Sequence, residues 1–155
     1  MGIFRGALNK VLWFAEVISF AQCGSPITGA RFVKQQFGPV PKAIIPVLNK
    51  LRRDGVLSIE EVEYYGHRKR QFVCNQEPDH SAFSEDEQKL IEEITYAITN
   101  NHTATSISDL THDAIWKLAD MGEDIPIYAV LASKLGKATD ADVGKARDRM
   151  MAVAA

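Results

Sequence analysis

Between Ile3 and Gln22 polar residues are too sparse to build a polar face. Val11-Leu12-Trp13-Phe14-Ala15 and Val17-Ile18-Ser19-Phe20-Ala21 are interrupted only by Glu16 and Ser19. A helix that is apolar all round belongs at the centre of a fold, so the stretch predicts a central helix, ended by Gly24-Ser25-Pro26. The pattern breaks at Ile27-Thr28-Gly29-Ala30-Arg31-Phe32-Val33 and Phe37-Gly38-Pro39-Val40-Pro41. Gly38 can take φ > 0, and Pro39 and Pro41 fix their own φ while biasing the residues before them away from helix. That predicts a rigid corner aiming a helix over Val40 to Arg53, with a kink or a later start at Pro46, since an interior proline costs about 3 kcal/mol. Two runs of β-type residues follow, Val56 to Tyr65 and Arg68 to Cys74, joined around Gly66-His67, and they predict a β-hairpin with a basic tip.

A polar stretch with Pro78 follows. Ser84-Glu85-Asp86-Glu87 has the form of a capping box, and Leu90, Ile91, Ile94 and Ile98 carry the helical spacing to about Thr99. Ser106-Ile107-Ser108-Asp109 repeats the cap for a short helix through Leu110. A further helix spans Asp113 to Met121, stopped by Gly122, and helical sequence restarts at Ile125-Pro126 and runs to Leu135. Thr139-Asp140-Ala141-Asp142 caps a last tail. The expected fold class is mainly α with one small β-hairpin (α+β), a compact helical domain over residues 1–135 with a C-terminal helix or tail at 136–155.

Charge changes this picture more than composition does. The net charge is −2, but residues 25–75 hold nine basic and four acidic residues, net +5, whereas residues 76–155 hold seven basic and fifteen acidic, net −8. Such asymmetry suggests a partner or a nucleic-acid surface, although the plainer reading of solvated faces is favoured. Glu16 breaks the apolar region that a signal peptide would need, and the run falls short of the ~20 apolar residues of a membrane span. With two cysteines, Cys23 and Cys74, too few for a disulfide framework and wrongly spaced for zinc, the reading is a cytoplasmic, reduced protein with no membrane partner.

Catalytic chemistry is not visible. His67, His80, His102 and His112 share no helical face and have no Cys or carboxylate at metal-ligand spacing; His112-Asp113 lacks the further histidines of a metal-hydrolase site. No Gly-rich phosphate loop or nucleophile elbow occurs. No enzyme activity, metal or cofactor is expected. Two binding constellations survive. Helix, corner, helix and hairpin stand in the order of a winged helix, with Lys42, Lys50, Arg52 and Arg53 on the recognition helix and Arg68, Lys69 and Arg70 on the wing. Cations near a helix C-terminus are stabilised by the helix dipole without any nucleic acid, and that reading is favoured. The second constellation is Trp116 in the acidic half, a core residue or a partner anchor.

Lys10-Val11-Leu12-Trp13-Phe14-Ala15, then Gly24-x-Pro26-Ile27-Thr28-Gly29-Ala30-Arg31-Phe32-Val33-Lys34, then Phe37-Gly38-Pro39-Val40-Pro41, and later Leu110-Thr111-His112 with Trp116, stand in the order of a known signature. The chain resembles the Panacea-domain family of SocA-like antitoxins and phage-associated GepA proteins over most of residues 8–131. The resemblance implies a small helical domain with a hairpin, encoded beside a protein toxin that it neutralises by direct contact. A winged-helix-like DNA-binding autoregulator, and an adaptor delivering a toxin to an ATP-dependent protease, are the alternatives. Family members pair with unrelated toxins. Thr28, Gly29, Gly38, Pro39, Val40 and Pro41 are therefore expected to hold the frame, while Trp116, Arg68, Lys69 and Arg70 are surface candidates for the partner. Members often carry a helix before the Lys-Val-Leu-Trp-Phe segment. Here only Met1 to Asn9 precede it, and an apolar strip left exposed on the N-terminal face of the core would serve a partner or a homodimer. The Ala154-Ala155 ending resembles those that bacterial ATP-dependent proteases recognise, but the plainer reading, a frayed helix end, is favoured.

Overall fold

The computed structural model describes residues 2–101, 116–117, 119–132, 148 and 151–152. In chain order they form β1 (Ile3–Phe4), α1 (Arg5–Cys23), β2 (Phe32–Gln35), β3 (Gly38–Pro41), α2 (Ile44–Arg53), β4 (Leu57–Tyr64), β5 (His67–Cys74), α3 (Glu85–Asn100) and β6 (Asp124–Ile125), followed by a 3-10 helix at Ile127–Ala132. These are three helices and two small three-stranded antiparallel sheets among the described residues, ordered β1-β5-β4 and β3-β2-β6. The fold is α+β. The expectation of a single hairpin is corrected, because short segments with little alternation of their own find strand partners far along the chain.

α1 is the axis. Val11, Trp13, Phe14, Ala15, Val17 and Phe20 are buried along it, and Phe32, Ile94, Ile98 and Ile125 close around them from β2, α3 and β6. Each large apolar side chain removed from water contributes about 1.5–3 kcal/mol, which is why this helix and not the more amphipathic ones sits at the centre. Trp13 meets Phe32 edge-on, with ring centroids 5.1 Å apart. Gly24 takes φ 73 and ends α1, its N–H donating to the Phe20 carbonyl at 2.8 Å. On the N-terminal face of the core, Ile3, Ala7, Leu12 and Ile18 are partly buried against it. Ile3 and Phe4 are a strand, paired with Phe72 and Gln71 of β5, and not the start of the helix.

The corner is itself a hairpin. β2 and β3 pair Val33 with Val40 and Gln35 with Gly38 around a two-residue turn, and Gly38 leaves that turn at φ 126. The helix expected from Val40 begins at Ile44, because Gly38 to Pro41 are already committed to the ladder. Pro46 then falls in the first turn. The first i→i−4 bond of α2 runs from the Val47 N–H to the Ala43 carbonyl at 3.2 Å, so the missing proline N–H breaks nothing.

The second hairpin turns at Tyr65 (φ 48) and Gly66 (φ 76), one residue earlier than Gly66-His67, and pairs Tyr64 with His67 through Leu57 with Cys74. Ser84 caps α3 as expected: its hydroxyl accepts the Glu87 N–H at 3.2 Å, and Glu87 accepts the Ser84 N–H at 3.0 Å. Helical sequence does not restart at Ile125, which is paired with Phe32 in β6. Residues 116–117 are helical, 119 is a bend and 121–122 form a turn. The caps at Ser106 and Thr139 lie outside the described residues, as do His102 and His112 and most of the tail. No described helix is long and apolar enough to cross a membrane.

Candidate functional site

Two charged residues sit inside the apolar α1, and each holds one half of the corner. Glu16 is 4% exposed. One of its carboxylate oxygens accepts the Thr28 N–H at 2.8 Å and the Thr28 hydroxyl at 2.6 Å, and the other accepts the Gly29 N–H at 3.2 Å. The Thr28 hydroxyl in turn accepts from the Ala30 N–H at 3.2 Å. A buried carboxylate is costly unless its lone pairs are filled, and here three donors converge on it. Gly29 makes the convergence possible: it sits at φ 73, where a side chain is disfavoured, although a Cβ there would meet nothing within 4 Å. Glycine is required by the backbone and not by space.

Lys10, two turns earlier and 4% exposed, donates from Nζ to the carbonyl of Phe37 in the β2–β3 turn. Burial brings its pKa down from the ordinary lysine value to about 8. Gly38, Pro39 and Pro41 are buried beyond that turn and Val40 is half-buried, so the structure gathers Thr28 and Gly29 at one point of α1 and Gly38 to Pro41 at another. Neither Lys10 nor Glu16 was among the candidate site residues. The signal was available, since a lone charge in an otherwise apolar helix must find partners when the helix is buried.

The other edge of the corner is tied to the acidic half. Arg31 makes an ion pair with Asp124, and this contact holds the Asp124 carboxyl below the usual carboxylate range. The Lys34 ammonium lies 4.0 Å from the centre of the Trp116 ring and donates to the Ala119 carbonyl at 2.8 Å. Trp116 is half-buried and packs against the core. A family model described as Antitoxin SocA-like, Panacea domain, matches residues 8–117. The chain belongs to this family. No curated protein and no solved structure matches it. In this Panacea domain the matched span opens at α1, takes in both anchored halves of the corner, and ends just past Trp116.

The exposed cations of the Panacea domain fall into two groups. On the β4–β5 hairpin, Glu61 stands across from Arg70 and Glu63 across from Arg68, with Arg70 and Glu61 3.6 Å apart. Lys69 lies over the rings of Tyr64 (4.5 Å) and Phe4 (5.4 Å). Every cation of the tip thus has an acidic or aromatic neighbour, a poor arrangement for phosphate. On and near α2, Lys50 pairs with Asp54 at 2.5 Å, which lowers the Asp54 pKa, while Lys42, Arg52 and Arg53 are exposed. Arg68 lines an open groove with Glu61, Val62 and Glu63, whereas Arg52 and Arg53 line another with Pro46, Asn49, Leu57, Ser58 and Ile59. The two groups do not share a groove. Among the described residues no three His, Cys, Asp or Glu side chains could hold a metal ion.

Proposed function

We propose that the protein is an antitoxin that acts in the cytoplasm and neutralises a protein toxin, encoded beside it, by forming a stoichiometric complex. The observation that carries this reading is the family match across residues 8–117. The local chemistry supports it. The signature residues Thr28 and Gly29, although exposed, spend their polar groups on the buried Glu16, which supports a frame role for them and leaves other surface residues to meet the toxin. Adaptor function toward a protease would be a later use of the same complex.

Co-expression tests the reading. The neighbouring reading frame alone arrests growth, and growth returns when this protein is produced with it; the two then co-purify. A harmless neighbour, or arrest that this protein leaves unchanged, overturns the proposal. The same operon supplies a check on autoregulation. No shift of operator DNA is expected at low salt, given the −2 net charge and the acidic and aromatic neighbours of the hairpin cations.

A further inference from the structure

Four strands form the outer edges of the two sheets, and three of them are protected. β3 carries Pro39 and Pro41, which have no N–H, while β1 and β6 are two residues long. β4 differs: it is an edge strand of eight residues, Leu57–Tyr64, without a proline. Its pairing with β5 determines which backbone groups it leaves over. The turn has two residues, so Tyr64 and His67 form the hydrogen-bonded pair that closes it, and bonded and non-bonded pairs alternate back along the ladder. The Asn75 N–H on the Val56 carbonyl at 2.8 Å keeps the same alternation at the far end. Leu57, Ile59, Glu61 and Glu63 therefore aim N–H and C=O away from β5. No strand of the described residues takes them.

The charges along this edge select its occupant. Beside Leu57 and Ile59 lies the open groove with Pro46 in its wall and Arg52 and Arg53 exposed on it; farther along, β4 presents Glu60, Glu61 and Glu63. A second copy laid antiparallel along this edge in the two most complete registers would set Glu61 against its own copy or Glu60 against its own copy, and like charges directly opposite destabilise a strand pair. A strand with cations opposite Glu61 and Glu63, which share a face, and an acid beside the arginines meets no such conflict. We infer that β4 is the edge on which an extended segment of the toxin adds as a fourth strand, its apolar residues alternating with basic ones and an acidic residue lying by Arg52 and Arg53. This inference rests on the antitoxin reading for the identity of the partner.

Amide hydrogen exchange on the full chain tests the edge without the toxin. The probe is a synthetic peptide alternating valine and lysine, with one aspartate at its C-terminus. Exchange at Leu57, Ile59, Glu61 and Glu63 slows when it is added, and a control peptide with glutamate for lysine has no effect. Glu61→Pro removes one outward N–H without touching a bond to β5, and weakens peptide and toxin binding at least tenfold at an unchanged melting temperature. Should that variant fail to fold, Glu61→Lys with Glu63→Lys gives the same loss without altering the backbone. Unslowed amides, equal protection by the glutamate peptide, or a wild-type dimer that Glu61→Pro converts to monomer overturns the inference. The two readings fail separately: a toxin complex formed equally well by Glu61→Pro overturns the edge alone, whereas protected amides beside a harmless neighbour overturn the antitoxin alone.

Discussion

Glu16 is costly to disturb, because three donors depend on it. Glu16→Ala strands the Thr28 N–H, the Thr28 hydroxyl and the Gly29 N–H, and leaves a space in the middle of α1. Hydrogen bonds to charged groups contribute roughly 1.5–3 kcal/mol each, and partial rehydration of Thr28 and Gly29, which are exposed, returns part of that. A loss of about 2–4 kcal/mol is expected in urea unfolding. An unchanged midpoint would mean that the carboxylate does not hold the corner. Lys10 behaves differently, since its folded pKa of about 8 lies below its value of 10.5 in the unfolded chain. Between those two pH values the unfolded state binds more protons, so this group makes stability rise with pH; below about 8 its contribution is constant and unfavourable. Subtracting a Lys10→Met variant removes the other titrations. Wild type should gain on the variant as pH is raised from 8 to 10.5, and a flat difference would show that Lys10 is not desolvated.

Elements in this chain are set by where their ends are held. α2 has few favourable features at its start: Ala43 caps it without a side-chain bond, and a proline follows at the third helical position. Its C-terminal turn is better supplied, with Lys50, Arg52 and Arg53 near the negative end of the helix dipole. Pro46 is tolerated because α2 begins at Ile44. Pro46→Ala should therefore change stability by less than about 1 kcal/mol, mostly through the unfolded chain. A gain near 3 kcal/mol, read by thermal or urea unfolding, would mean that the proline sits in a helix interior after all. The β4–β5 hairpin follows the same logic, since Tyr65 and Gly66 at positive φ set the turn and the turn sets the register.

At the scale of the molecule, the uneven charge of the chain is partly answered within the fold. β6 brings Asp124 from the acidic half against Arg31 of the basic half, and Phe32 and Ile125 pair beside them. Because the Asp124 pKa is lowered from 3.8 chiefly by its hydrogen bond from Arg31, its contribution is present above that value and is lost as pH falls through the folded pKa. Asp124→Asn should flatten the acid dependence of stability below about pH 4 and speed amide exchange at Phe32 and Ile125. Exchange unchanged at both amides would show that the ion pair does not fasten β6. The contact is exposed, so added salt should weaken it in wild type.

Sequence alone determined the features that depend on neighbours in the chain. The all-apolar run marked α1 as the centre, Ser84 and Glu87 located the start of α3 through bonds three residues apart, and β-favouring residues on either side of Gly66 revealed the β4–β5 hairpin. The ordered signature from Lys10 to Pro41 identified the family, since its glycines and prolines answer local backbone demands. What tertiary structure decided were pairings between distant segments. β1 is a strand only because Phe72 and Gln71 lie beside Ile3 and Phe4, and β6 only because Phe32 and Val33 lie beside Ile125 and Asp124. Two residues have no period to read, and their state is set by the partner that satisfies their N–H and C=O groups. The same holds for the anchors of the corner. A sequence shows that Lys10 and Glu16 are charges on an apolar helix and must be paired, but only the path of the chain back across α1 chooses Phe37 for one and Thr28 with Gly29 for the other.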